Sequence, residues 1–361
     1  MASNFYILIY IITLLFCFLC IISNEKKTST LSAFFLYSCF LIIFAGFNTS
    51  SPDYLGYKNI AESVGNYDDL YSGSSQDLHG DFTFYLISSI VNTLNLDIQF
   101  VFIFIALFSV GITSFVIFRT SSVPILSILL YSSHHYLNKD VIQIRAALSS
   151  ALILLTIYFI SRGKKILGGS SYLMSFLSHS SSVVTLPPIF ISKICPQRYS
   201  KKLLFSFLLI AFLVNTLGGG FFGLLKYFEF LLPIGVKNYL NWDIYNYDMG
   251  ILNLSTIRAL FFSLFLVYFY DKYPKTKEEI ILTFCYVFGT CLLVAFSDFA
   301  ILSGRLSSVL MSGEFIILVN AAYKMKRKRY LVFILIYSCL LLANNIFLSS
   351  YNLGDFNFKL T

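Results

Sequence analysis

Apolar runs long enough to cross a bilayer recur along the whole chain, and the connections between them hold most of its lysines and arginines. About 20 apolar residues in helical conformation cross ~30 Å of hydrocarbon. The pattern predicts spans near residues 5–23, 31–47, 98–118, 123–137, 141–161, 166–178, 181–194, 203–217, 254–270, 280–297, 305–323 and 331–350. The expected fold class is an all-α polytopic membrane protein with about twelve transmembrane helices, some short or broken. It forms a single integral membrane domain over 1–361.

The connections separate by charge. Lys26 and Lys27, Arg119, Arg162 with Lys164 and Lys165, the stretch from Lys193 to Lys202, that from Lys272 to Lys277 and that from Lys324 to Arg329 fall in every second connection. The positive-inside rule puts these on the cytoplasmic side and both termini outside. For Arg119 to be inside, the helical stretch 82–95, FTFYLISSIVNTLN, must not cross completely. It is ~21 Å long as a helix, which suits an interfacial or re-entrant outer helix. Segments 166–178 and 181–194 meet at SHSSS and read as two short spans around a polar break. Such a break is tolerated at membrane depth only where it is buried in protein or lines a cavity.

Composition agrees with this picture. The chain is 57% hydrophobic and 12% charged, against roughly 25% charged in soluble domains. The mean hydropathy is +0.76. The 39 Phe and 25 Tyr suit lipid-facing surfaces and interfacial belts. The net charge of +8 comes from cytoplasmic connections, so no nucleic-acid partner is implied. Cys17 and Cys20 form a C-x-x-C inside a lipid-length segment without His or acidic companions, and read as apolar filler. The first segment lacks a preceding basic region and a small-residue cleavage site, so it reads as a span and not a signal peptide.

Two long outer loops are expected. Residues 48–81 carry Asp53, Glu62, Asp68, Asp69, Asp77 and Asp81 against Lys58 alone, and are rich in Tyr. Residues 218–253 run from GGGFFG through Tyr239, Trp242, Tyr245 and Tyr247. Aromatic faces beside carboxylates and amides grip sugars, the rings covering C–H faces while the polar groups take hydroxyls. An interfacial aromatic belt is the competing reading. No internal repeat supports an inverted-repeat transporter.

The candidate chemistry lies on the outer side. In VIQIRAALSSALILL, residues 141–155, Arg145 sits about one turn inside the start of its expected span and is followed by Ala146, Ala147, Ser149, Ser150 and Ala151. Its long stem could snorkel to the headgroups. The small residues favour the other reading, a helix packed against protein with the arginine in a wet cavity. His179 stands at the polar junction, either as a satisfied polar residue or as a proton carrier near neutral pH. Arg258 is expected in the first turn of its helix, where it reads as a plain interfacial arginine, and Arg305 at the start of another after Ser303-Gly304. Arginines around such a cavity suit a polyanion, because the guanidinium fork binds phosphate oxygens in pairs. A lipid diphosphate is the obvious anion. His134 and His135 lack metal-ligand companions, and no H-E-x-x-H, G-x-x-x-x-G-K-[ST], G-x-S-x-G or D-x-D is present.

The ordered set SPDYLGYKNI, GDFTFYLISSIV, QIRAALSSALILL, YLMSFLSHSSSVVTLPPIFI and SGRLSSVLMS resembles the EpsG-like polysaccharide polymerases, which are similar to the Wzy polymerases of O-antigen and exopolysaccharide assembly. The resemblance covers about residues 50–320. It departs at GDFTFYL, where such proteins commonly carry a Glu-x-Gly entry, and Asp81 stands in for that acid or the role is absent.

The resemblance implies a GT-C-like glycosyltransferase in a bacterial cytoplasmic (inner) membrane, its active site facing the periplasm. It would move a growing glycan from undecaprenyl diphosphate to a lipid-linked repeat unit, with no metal and no cofactor. Arg145, Arg305 and Arg258 would bind the diphosphate. His179 and Asp53 are the candidate bases, and Tyr54, Tyr57, Asp81, Trp242 and Tyr245 the sugar contacts. The implied partners are an undecaprenyl-diphosphate-linked oligosaccharide, membrane lipids and a chain-length regulator protein. An O-antigen ligase, a flippase for lipid-linked oligosaccharide and a structural membrane subunit are the alternatives.

Overall fold

The computed structural model describes residues 2–23, 27–67, 81–218, 230 and 250–348, and among these every regular element is helical. The chain divides into two compact units, one formed by residues 1–180 with 315–361 and the other by 181–314.

In the first unit, α1 (Ala2–Ser23) and α2 (Lys27–Gly46) lead to α3 (Tyr54–Ser63) and α4 (Phe82–Thr93). Then come α5 (Gln99–Thr120), α6 (Pro124–Ser133), the single turn α7 (His135–Asn138), α8 (Ile144–Ser161) and α9 (Lys165–Ser178). α4 has 12 residues, about 18 Å of rise, and is too short to cross a bilayer. In the second unit a 3₁₀ turn (Ser180–Thr185 as a whole) opens into α10 (Leu186–Ile194), α11 (Gln197–Gly218), α12 (Leu254–Tyr268), α13 (Lys277–Ala295) and α14 (Ala300–Leu310). α15 (Glu314–Lys324) and α16 (Lys328–Ala343) return the chain to the first unit, ending in a π turn at Asn344–Leu348.

Among the described residues six helices are long and apolar enough to cross a membrane, or seven if one bent pair counts as a single span. Residues 30–46, 82–93, 124–133 and 254–268 form apolar helices that fall short of that length. The helices therefore lie where the hydrophobic pattern put them, but many are shorter than a full crossing. Two expected spans are also broken. The stretch 123–137 stops at His134, where φ is −142° and ψ is −65°. Asn345 Nδ2 takes the Ser133 carbonyl that the break releases, at 2.7 Å, so no buried backbone acceptor is stranded. The stretch 305–323 is split by a turn at Met311–Gly313. Gly313 is needed there because a Cβ would stand 2.5 Å from the Leu282 side chain.

The first unit's core around α3, α4, α5 and α8 is built from Tyr54, Tyr57, Phe84, Phe102, Ile144 and Leu148. Ala146, Ala147, Ser149, Ser150 and Ala151 are all buried. The small residues of α8 thus face protein, as their size implied. The second unit packs Leu204, Leu208, Val267, Phe284, Val287 and Val294. There α13 begins with a capping box, Thr276 accepting from the Glu279 amide while Glu279 accepts from Thr276 N–H.

Candidate functional site

The break between α7 and α8 decides where Arg145 stands. α8 starts at Ile144 and not at 141, because Lys139–Gln143 form a turn closed by Val141 N–H donating to Tyr136 O. Arg145 is therefore in the first turn of the helix. Its Nη1 lies 3.1 Å from Asp81 Oδ2, and its guanidinium carbon stands 5.4 Å from the centre of the Tyr57 ring. The side chain is held between a carboxylate and an aromatic face and does not reach freely for headgroups.

Asp81 precedes α4 in the N-cap position, yet its side chain makes no cap hydrogen bond. An aspartate there ordinarily stabilises its own helix by about 1 kcal/mol. Here the same Oδ2 that meets Arg145 lies 3.1 Å from His179 Nδ1. One carboxylate oxygen thus joins the Arg145 guanidinium and the His179 imidazole.

His179 is placed by a serine ladder. Ser175 Oγ donates to Ser149 O at 2.9 Å, and the two hydroxyls lie 2.9 Å apart, which ties α9 to α8. Ser178 Oγ donates to Thr83 Oγ1 at 3.1 Å, tying the end of α9 to the start of α4. His179 then leaves the helix in extended conformation, with its amide donating to Ser175 O. α3 closes the cluster from another side. Tyr54 OH donates to Gln99 Oε1 at 2.9 Å, and Gln99 Nε2 donates to Gly46 O at 2.7 Å. Asn92 Nδ2 donates to Ala61 O and Val64 O, clamping α4 to the end of α3.

Tyr57 shows how these charges converge. Burial pushes its phenol above the usual range, Arg145 pulls it back, and Asp53 and Asp81 add to the rise. Asp53 itself is exposed at the start of α3. Arg145 Nε and Tyr85 OH are buried without a hydrogen-bond partner among the described residues. Tyr85 escaped the sequence reading. Its signal was the i, i+4 spacing from Asp81, which puts both on one face of α4.

Of the expected site residues, Arg145, His179, Asp81, Tyr57, Tyr54 and Asp53 all belong to the first unit. Arg258 and Arg305 belong to the second. Arg258 Nη2 lies 3.9 Å from Glu314 Oε2, both side chains being mostly buried. Arg305 is exposed in the middle of α14, which starts at Ala300 and not at Arg305. Phe299 and Ala300, where this helix begins, are both buried. Trp242 and Tyr245 lie outside the described residues.

Helices of crossing length, shorter apolar helices beside them and a charged cluster at helix ends define a multi-pass membrane protein. The chain belongs to the EpsG family, whose model matches residues 31–360. The amylovoran biosynthesis protein AmsC of Erwinia amylovora is 27% identical over 323 residues, covering 83% of each chain. No solved structure matches.

Proposed function

We propose that this chain is a polysaccharide repeat-unit polymerase of the bacterial cytoplasmic membrane. It transfers a growing glycan from undecaprenyl diphosphate to a lipid-linked repeat unit at the outer face, within a GT-C-like bundle of about twelve crossings. The observation that carries this reading is Asp81 gripping Arg145 and His179 with one oxygen. Membership of the EpsG family and likeness to a protein named for amylovoran biosynthesis support the substrate class.

The chemistry follows from the geometry. With Nδ1 donating to Asp81, neutral His179 presents Nε2 as a base. An acceptor hydroxyl gives its proton to Nε2 as its oxygen bonds to the donor's anomeric carbon. The bond from that carbon to the phosphate oxygen breaks, and the electron pair leaves on the diphosphate. Arg145, whose Nε has no hydrogen-bond partner among the described residues, takes up the developing charge. A guanidinium supplies this without a metal or cofactor. Tyr57 and Tyr85 wall the sugar, and Asp53 meets its hydroxyls.

The test is direct. Purified protein given undecaprenyl-diphosphate repeat units should yield a ladder of glycan lengths and free undecaprenyl diphosphate. Transbilayer movement of the unit without a ladder would make the protein a flippase instead. Transfer to an acceptor other than a repeat unit would make it a ligase.

A further inference from the structure

In the first unit the end of α1, the start of α2, the connection from α5 to α6 and that from α15 to α16 line a cavity of about 510 Å³. Its basic residues, Lys326, Arg327 and Lys328, belong to a stretch that the charge rule assigns to the cytoplasmic side. The polar wall holds Thr30, Ser122, Lys326, Arg327 and Lys328, and the apolar wall holds Ile21, Leu31 and Leu331.

The cations there are arranged for an anion. Lys328 Nζ donates to Ile22 O at 2.8 Å, closing the end of α1. Among the described residues no carboxylate pairs with Lys326 or Arg327. Lys326 has a φ of +55°, a left-handed conformation that costs an L-residue energy and that glycine would adopt freely. That residue closes α15, its N–H donating to Tyr323 O.

We infer that this cavity is a binding site for the phosphate of an anionic membrane lipid, held by Lys326 and Arg327. The apolar wall favours a lipid over a soluble phosphate, because Ile21, Leu31 and Leu331 offer a path for acyl chains beside the headgroup. Basic pockets among membrane helices on the cytoplasmic side take such headgroups.

The full-length protein is released from bilayers of equal phosphatidylglycerol and phosphatidylcholine, and the retained lipid is counted by native mass spectrometry. The native chain should keep phosphatidylglycerol preferentially. The double variant K326Q/R327Q should lower that preference about tenfold or more. Ser122→Asp, which leaves both cations in place and sets a carboxylate in the wall, should lower it too. Equal retention of both lipids by the native chain would overturn the site, and so would an unchanged preference in both variants. Displacement of the lipid by inorganic phosphate at matching concentration would overturn the lipid assignment in favour of a soluble ligand.

Discussion

Asp81 Oδ2 stands 3.1 Å from His179 Nδ1 across 98 residues of sequence. In the proposed reaction Nδ1 carries the proton on this contact and Nε2 is the base. Asp81→Asn keeps the shape but can donate to Nδ1, which favours the wrong tautomer. A general base commonly contributes about 10²–10⁴-fold. Asp81→Asn is therefore expected to slow polymerisation by at least 10²-fold while the protein inserts and purifies normally. Unchanged turnover would remove the histidine from the chemistry.

Arg145→Lys separates charge from geometry. The lysine keeps a positive charge in the first turn of α8 but loses the planar fork and the stacking over Tyr57. Loss of one positioned donor to a developing anion costs about 10²–10³ in rate. The measurement is single-turnover release of undecaprenyl diphosphate. A variant as fast as the native protein would mean that Arg145 serves only to anchor Asp81.

The hydroxyl pair Ser149–Ser175 is expected to act on His179 through α9. Each serine-to-alanine change removes a buried hydrogen bond worth about 1 kcal/mol. The double variant should cost less than the sum of the two singles, because each single change already breaks the shared contact. Thermal unfolding in detergent gives the stabilities and turnover gives the effect on the site. Strict additivity would show that the two hydroxyls act independently.

How much of this was legible beforehand follows from which interactions leave a local trace. Helix positions were legible because apolar runs and basic connections are local signals, and α5, α8 and α13 fall within a few residues of their expected spans. The burial of α8 was legible from Ala146, Ser149 and Ser150. The start of α8 was not, because the turn at Lys139–Gln143 depends on Asp140 being taken into the interior by Tyr131. Asp81 was read as a sugar contact in an acidic loop. Its double role required knowing that Ser178 and Thr83 bring α9 and α4 together, and a hydrogen bond between residues 95 apart has no sequence signature. Lys139 and Asp140 fall between the expected spans 123–137 and 141–161, yet both are buried.

That buried turn gives the protein a pH dependence of its own. Tyr131 OH donates to the buried Asp140 Oδ2 at 2.5 Å. Neighbouring Lys139 donates to Gln143 Oε1 at 2.8 Å. Burial pushes the Asp140 carboxyl from the ordinary 3.8 up to about 6, against the opposing pull of Ser109, Tyr131 and Lys139. A raised carboxyl means that the folded protein binds the proton more tightly than the unfolded chain. The stabilisation is full below pH 3.8 and is lost as pH rises to about 6. A displacement of that size corresponds to about 3 kcal/mol across the window. Asp140→Asn cannot titrate, so its melting temperature should fall less than that of the native protein between pH 4 and pH 6. Above the window the variant should be the more stable of the two, since it no longer holds an ionised carboxylate in the interior. Parallel melting curves for the two proteins over this range would show that Asp140 titrates alike in the folded and unfolded chains.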